Sequence, residues 1–153
     1  MELRQPGRKG PQEIEYSLIS RGIEDSILPA CRELGITAYG IFARGLISGH
    51  WQAARTPGDF RVHSPRFQEG NVEQNLAPVE TLRESAKARN TTVAQLAIAW
   101  VAARGEDIVP LAGARRRDQL SEMLGAFDIA LTPADLVVIE QAAPQRSRSG
   151  RAV

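Results

Sequence analysis

Short apolar segments rich in β-branched residues alternate along this chain with longer segments of helical periodicity. The strand-like segments cover residues 14–18, 36–39 and 108–111. Because such alternation is typical of βαβ units, in which helices connect and cover parallel strands, it predicts an α/β fold. A parallel sheet of about three strands has two open edges, which we expect to be covered, paired or charged.

Capping residues and prolines set the expected helix boundaries. Asp25 is a candidate cap for the first helix, Pro78 is a candidate start for the second, and Thr92 with Gln95 forms a capping-box pattern for the third. Helices are predicted at residues 25–34, 78–89, 93–104, 117–124 and 133–143. The third is apolar on nearly all sides and should be buried. The stretch 40–75 lacks a sustained period, and a connection of that length favours a functional loop.

The composition excludes several classes of protein. With 153 residues, of which 42% are hydrophobic and 24% charged, the chain suits one soluble globular domain. Its net charge of +1 gives no electrostatic basis for binding nucleic acid or a membrane surface. No apolar run is long enough to span a bilayer and no secretory signal is recognised, so we expect a cytoplasmic protein. The single cysteine, Cys31, excludes an intrachain disulfide and is expected to be a packing residue.

Composition also divides the chain into three parts. Residues 1–12 are rich in Gly, Pro, Lys and Arg, contain little to bury, and are expected to form a disordered lead-in. Residues 13–143 carry the strand and helix signals and form the predicted domain. Residues 144–153 should be a flexible tail.

The segment 108–124, IVPLAGARRRDQLSEML, combines a β-prone run, a glycine turn, three consecutive arginines and a helix start. Gly113 allows a ligand to approach the backbone, and the free N–H groups of the next helix add positive potential to Arg115, Arg116 and Arg117. This order predicts an anion site that suits a phosphate. The alternative is a solvated basic turn after a core strand, because short motifs also match by chance.

The order of several longer segments indicates a family. These segments are EYSLISRGIEDSILPACRELGI, TAYGIFARGLISG, DFRVHSPRFQEGN, TVAQLAIAWV and GEDIVPLAGARRRDQLSEMLGAFDIALT. Together, over about residues 13–142, they resemble the C-terminal half of the aldo/keto reductase family. The resemblance implies part of a (β/α)₈ TIM barrel, about its last three βα units with extra helices. It also implies an oxidoreductase that uses NADPH to reduce carbonyl groups.

The resemblance implies roles for residues that follow the second strand. Tyr39 matches the aromatic residue that stacks on the nicotinamide ring, whereas without the family it could be a core tyrosine. The segment 41–48 matches the chain that lies along the pyrophosphate, where Arg44 would offer charge and Gly45 a close backbone approach. Gly40 stands where the family has a serine beside the cofactor.

Further cofactor contacts are implied after the third strand. Arg115 resembles the basic residue that receives the 2′-phosphate, beyond the turn at Gly113, and Gln119 and Glu122 match the adenosine contacts. Met123 replaces an asparagine that many members carry for adenine.

A departure also occurs in the first strand. The family's Gln-x-Glu-Tyr pattern, whose glutamine contacts the nicotinamide carboxamide, has Glu13 at the glutamine position and leaves Gln12 one residue early. We therefore expect that carboxamide contact to be altered.

The family's catalytic Asp, Tyr, Lys and His come from the N-terminal half of the barrel, and no residue of this chain matches them. His50 and His63 both fall in the long loop and are too few for a metal site. The sequence thus predicts a truncated reductase without catalytic residues, whose small carbonyl substrate would bind only in a completed barrel. The alternatives are a non-catalytic NADP-binding or interaction module, and one half of a split barrel that self-associates or recruits an N-terminal half through its open edges.

Overall fold

The structure is a computed structural model, and it describes residues 12–48, 58–64, 67–68 and 70–143. The predicted flexible tail lies outside the described residues, as does the predicted lead-in apart from Gln12. Gln12 belongs to the first strand.

Among the residues that the structure describes, three parallel strands form one sheet, as the alternation of elements predicts. They are β1 (Gln12–Glu15), β2 (Ile36–Tyr39) and β3 (Ile108–Pro110), in the order β1-β2-β3. The prediction of β1 at residues 14–18 was wrong at both ends. The ladder with β2 begins at Gln12, and beyond Glu15 the chain reverses where Ser17 and Ser20 exchange backbone hydrogen bonds.

The two faces of the sheet have different surroundings. Ile36, Ala38 and Ile108 point to the same face and are almost fully buried. Thr37 and its neighbour Val109 point to the opposite face, where Val109 is exposed. One face therefore carries the core and the other is open.

Five α-helices lie in the described ranges, and they follow the sequence signals to different degrees. They are α1 (Ile27–Cys31), α2 (Asn71–Ala88), α3 (Val93–Ala102), α4 (Arg117–Leu124) and α5 (Pro133–Ala142). The helix α4 has the predicted bounds, and α5 begins at Pro133 as predicted, with Thr132 as its N-cap. Short 3-10 segments cover Ala43–Gly45, Phe60–His63 and Gly125–Asp128.

The helix α1 is shorter than predicted, and its cap is not Asp25. Ser26 occupies the N-cap position without a side-chain hydrogen bond, and the helix ends at Cys31 rather than Leu34. Beyond it the N–H of Leu34 turns back to the carbonyl of Cys31. Cys31 itself is half-buried and packs against the core, as expected for a packing residue.

The helix α2 begins seven residues before Pro78, so the prediction that Pro78 starts it was wrong. The Glu73 carboxylate accepts a hydrogen bond of 2.7 Å from the Gly70 N–H and caps the true start. Val79, Leu82 and Ala86 are buried after the proline and hold the later turns against the core. Tertiary packing thus offsets the hydrogen bond that a proline removes, and the loop predicted at 40–75 ends at residue 70.

The helix α3 lies at the centre of the core, as its apolar sequence predicts. Eight of its residues are buried, including Trp100 with no exposed surface. Its predicted capping box is present, because the Thr92 hydroxyl accepts from the Gln95 N–H at 3.1 Å and the Gln95 amide oxygen accepts from the Thr92 N–H at 3.0 Å. No helix in the described ranges has the length and apolarity needed to cross a bilayer.

Candidate functional site

The carboxyl ends of the three strands lie along one edge of the sheet, where parallel α/β folds commonly bind ligands. The Tyr39 carbonyl at the end of β2 accepts a hydrogen bond of 3.0 Å from the Tyr16 N–H beyond β1. On the other side, the Leu111 N–H donates to the Ala38 carbonyl at 2.8 Å. The segments that leave all three strands are therefore held side by side.

Tyr39 is the aromatic residue at the middle of this edge. Its register places it opposite Glu15, on the open face of the sheet. It is 37% exposed and is not part of the core of the described structure. The ring is thus accessible to a flat ligand.

The loop after β2 has an unusual backbone. The angle φ is positive at four positions, namely +68° at Gly40, +49° at Ala43, +59° at Arg44 and +101° at Gly45. Two of these residues are not glycine, and such conformations carry strain that the surroundings must hold in place.

Buried side chains hold this loop against the core. Ile41, Ala43, Leu46 and Ile47 are all buried, whereas Arg44 is exposed. The Ser48 hydroxyl also donates to the Gly45 carbonyl at 2.7 Å. The loop therefore presents Arg44 from a fixed base.

Glycine is required at position 40 for a second reason. The first reason is its positive φ. The second is that a Cβ atom there would lie only 3.1 Å from Cγ of Glu15. The Glu15 carboxylate in turn accepts a hydrogen bond from the Ser20 hydroxyl at 3.1 Å. The side chain of Glu15 therefore occupies the space beside Gly40.

The N-terminus of α4 is capped by a side chain of the helix itself. The Gln119 amide oxygen accepts from the N–H groups of Arg115 and Arg116 at 3.1 and 3.2 Å. The Arg116 guanidinium forms two hydrogen bonds with Asp118, from Nε to Oδ1 at 3.1 Å and from Nη2 to Oδ2 at 2.9 Å. This pairing holds the pKa of the Asp118 carboxyl below its ordinary value. The Arg115 side chain is exposed beside them.

Sequence reasoning missed Asp118. The available signal was an acidic residue in the first turn of a predicted helix, directly after three arginines.

Gly113 is not needed by the fold. A Cβ atom at this position would meet no other atom within 4 Å, and the residue is exposed. Its open surroundings leave room for a close ligand.

Gln95 connects α4 to α3. Besides its capping bond, its amide nitrogen donates to the Glu122 carbonyl at 2.9 Å. The predicted site residue Glu122 thus has a fixed backbone, and its side chain is half-buried.

The sequence profile of the aldo/keto reductase family matches residues 12–144. The chain belongs to the aldo/keto reductase family. A probable aldo-keto reductase 1 from Glycine max is 39% identical over an alignment of 136 positions, and the match covers 86% of this chain and 39% of that relative. The chain therefore spans about two fifths of the length of this relative.

Solved aldo-keto reductases share the fold. The glycerol dehydrogenase from Gluconobacter oxydans superposes with a TM-score of 0.75 at 30% identity, covering 85% of this chain and 41% of that one. An aldo-keto reductase from Klebsiella pneumoniae, solved in complex with NADPH, gives a TM-score of 0.63 at 26% identity, covering 93% of this chain and 42% of that one.

The residues that differ from the aldo/keto reductase motifs lie at distinct places in the structure. Glu13 pairs with Thr37, so alternation puts it on the open face together with Tyr39. Gln12 pairs with the buried Ile36 and points to the opposite face, so it cannot take the place of the expected glutamine. Met123 is buried in the core.

The two histidines of this aldo/keto reductase chain do not belong to a metal cluster among the described residues. His63 lies in the 3-10 segment Phe60–His63, and His50 lies outside the described residues. Within the ranges that the structure describes, no three His, Cys, Asp or Glu side chains are grouped to hold a metal ion.

Proposed function

We propose that this chain binds NADP(H) at the carboxyl edge of its sheet and forms the cofactor-binding part of an aldo/keto reductase. The observation that carries the proposal is the exposure of Tyr39 at the middle of that edge. The loop after β2 and the connection after β3 leave the sheet beside it. In this arrangement Tyr39 stacks on the nicotinamide, and the strained loop with Gly40, Arg44 and Gly45 lies along the pyrophosphate.

The connection after β3 receives the other end of the cofactor. Arg115 is exposed at the start of α4 and would bind the 2′-phosphate, and Gly113 would let the ligand approach the backbone. Gln119 and Glu122 would contact the adenosine from the first turns of α4. The NADPH complex of the Klebsiella pneumoniae relative supports this cofactor.

We further propose that carbonyl reduction needs groups from barrel strands other than these three. The chain corresponds to about two fifths of its reductase relatives. The acid of the family's catalytic set would then come from the rest of the barrel. Proton donation to a carbonyl oxygen requires a positioned acid, and orientation requires groups from several strands. Reduction would then occur in a completed barrel in the cytoplasm, and the truncated form alone would be inactive.

One observation favours an interaction role beside cofactor binding. Val109 and Leu111 on the open face are 42% and 50% exposed, and β1 and β3 are edge strands. The remaining barrel strands, or a second copy, would cover this surface.

Fluorescence titration of NADPH with the purified chain tests the proposed cofactor. We expect saturable binding, and Arg115→Ala should weaken it by at least about tenfold because a charged hydrogen bond to phosphate is lost. NADH binding should be unaffected by that variant. Arg117→Ala is the matched control, since it removes an equal charge two residues away.

Two results would contradict the proposal. One is the absence of saturable binding by the wild-type chain, and the other is an equal loss for NADPH and NADH in Arg115→Ala. For the completed-barrel proposal, turnover of a generic aldehyde by the chain alone, above a control without protein, would be the contrary result.

A further inference from the structure

The ion pair between Arg116 and Asp118 places a carboxylate at the site proposed for a phosphate dianion. Asp118 lies in the first turn of α4, and its two oxygens each accept a hydrogen bond from Arg116. Both side chains are about two-thirds exposed, at 62% and 67%. We propose that Asp118 is a specificity-determining residue that limits the preference of this site for NADP over NAD. This inference rests on the proposed function.

The geometry gives Asp118 two effects on a bound phosphate. First, the Arg116 guanidinium could bind two phosphate oxygens, but it already forms such a bidentate pair with the Asp118 carboxylate. The carboxylate charge also opposes the positive end of the helix, which would otherwise attract the phosphate. Arg116 and Asp118 together therefore add no net charge to the site, unlike the other two arginines of the run.

The backbone around this pair is already ordered. The N–H groups of Arg115 and Arg116 converge on one oxygen atom of Gln119. Residues 115–119 thus hold their conformation without the ion pair, so neutralising Asp118 changes the charge of the site more than its shape. An exposed position also allows the substitution without loss of packing.

The inference is tested by titrating NADPH and NADH with the wild-type chain and with Asp118→Asn. The variant should bind NADPH about two- to fivefold more tightly, the range typical of one exposed charge interaction. NADH, which lacks the 2′-phosphate, should bind as before. The gain should shrink as the salt concentration rises, since exposed charges are screened.

Two control variants separate a local effect from a change in net charge. Asp128→Asn removes an equal charge at the end of the 3-10 segment after α4 and should leave both affinities unchanged. Arg116→Ala leaves the Asp118 carboxylate unpaired and should lower NADPH affinity by a similar factor, whereas in Asp118→Asn the same substitution should return the affinity to that of the wild type. Asp118→Ser, which keeps a residue suited to a helix start, provides a second neutral variant that should show the same gain.

The outcomes distinguish this inference from the function on which it rests. If the wild-type chain binds no NADPH, both proposals are overturned. If it binds NADPH but the neutral variants bind it no more tightly, the role of Asp118 alone is overturned. An equal gain for NADH, or an equal gain in Asp128→Asn, also overturns it.

Discussion

The guanidinium of Arg21 donates a hydrogen bond of 3.3 Å to the carbonyl oxygen of Ala143, a residue 122 positions away in the sequence. The same group forms two hydrogen bonds with Glu24, at 2.8 and 2.9 Å, and one with Glu140 at 3.3 Å. It also lies 5.3 Å from the centre of the Trp100 ring. Arg21 thus joins the connection after β1 to the end of the last helix.

The surroundings of Arg21 form a partly buried polar network. The Tyr16 hydroxyl donates to Glu24 at 2.7 Å, and Arg104 binds Glu140 and lies 5.2 Å from the Trp100 ring. Burial, together with the hydrogen bond to the Glu24 carboxylate, raises the pKa of Tyr16. The tyrosine therefore remains a protonated donor within this network.

We predict that Arg21→Met lowers the free energy of unfolding by about 3–5 kcal/mol, because the nearly buried Glu24 carboxylate and the Ala143 carbonyl lose the guanidinium that pairs with them. The Arg21 side chain is only 7% exposed. Urea unfolding followed by circular dichroism measures the change. The matched control is Arg83→Met, which breaks the exposed pair with Glu80 and should cost about 0–1 kcal/mol. Equal losses in the two variants would contradict the role given to Arg21.

Asp135 is predicted to make stability depend on pH in acid. The hydrogen bond from Arg89, with further bonds from Thr132, lowers the pKa of Asp135 to about 2 from its ordinary 3.8. Since the folded state has the lower pKa, its contribution is present above about pH 4 and is lost as the pH falls towards 2. The urea midpoint of the wild type should therefore fall over this range.

The control for this prediction is Asp135→Asn. Its urea midpoint should be lower than that of the wild type at pH 6 and should change less between pH 4 and 2. Asp128→Asn, at the end of the 3-10 segment, should retain the wild-type profile. A wild-type profile in Asp135→Asn would show that the pair with Arg89 does not contribute.

Much of the fold could be predicted because its signals are local. The capping box at Thr92, the start of α5 at Pro133 and the helix α4 follow from residues within a few positions of each other. The helix α2 could not be placed in this way, because long-range burial of Val79 and Leu82 holds a helix through Pro78. The bounds of β1 likewise depend on pairing with β2, which lies more than twenty residues away.

The candidate site was predicted in outline rather than in its contacts. Family resemblance selected Tyr39 and Arg115, and the structure finds both exposed where connections leave the same edge of the sheet. The sequence could not show that Asp118 neutralises Arg116, because local ion pairs depend on side-chain conformation. The network around Arg21 brings together the two ends of the described fold, so no short motif indicates it.

We predict that the aromatic ring of Tyr39, and not its hydroxyl, supports cofactor binding. Tyr39→Phe should bind NADPH as the wild type does, whereas Tyr39→Ala should bind about two- to tenfold more weakly, the range given by ring-stacking energies. Because the side chain is 37% exposed, neither variant should lower the unfolding midpoint greatly. A loss in Tyr39→Phe equal to that in Tyr39→Ala would argue against stacking.

A substitution at Gly113 tests whether this glycine is required by a ligand rather than by the fold. A Cβ atom there meets nothing within 4 Å, so Gly113→Ala should leave the unfolding midpoint close to that of the wild type. If the cofactor approaches the backbone at this turn, the added methyl group should nevertheless weaken NADPH binding, in the fluorescence titration used for Arg115. Gly22 is a matched control, because its surroundings are equally open and it lies in the connection after β1. Gly22→Ala should therefore change neither stability nor affinity, and unchanged NADPH affinity in Gly113→Ala would place the cofactor away from this turn.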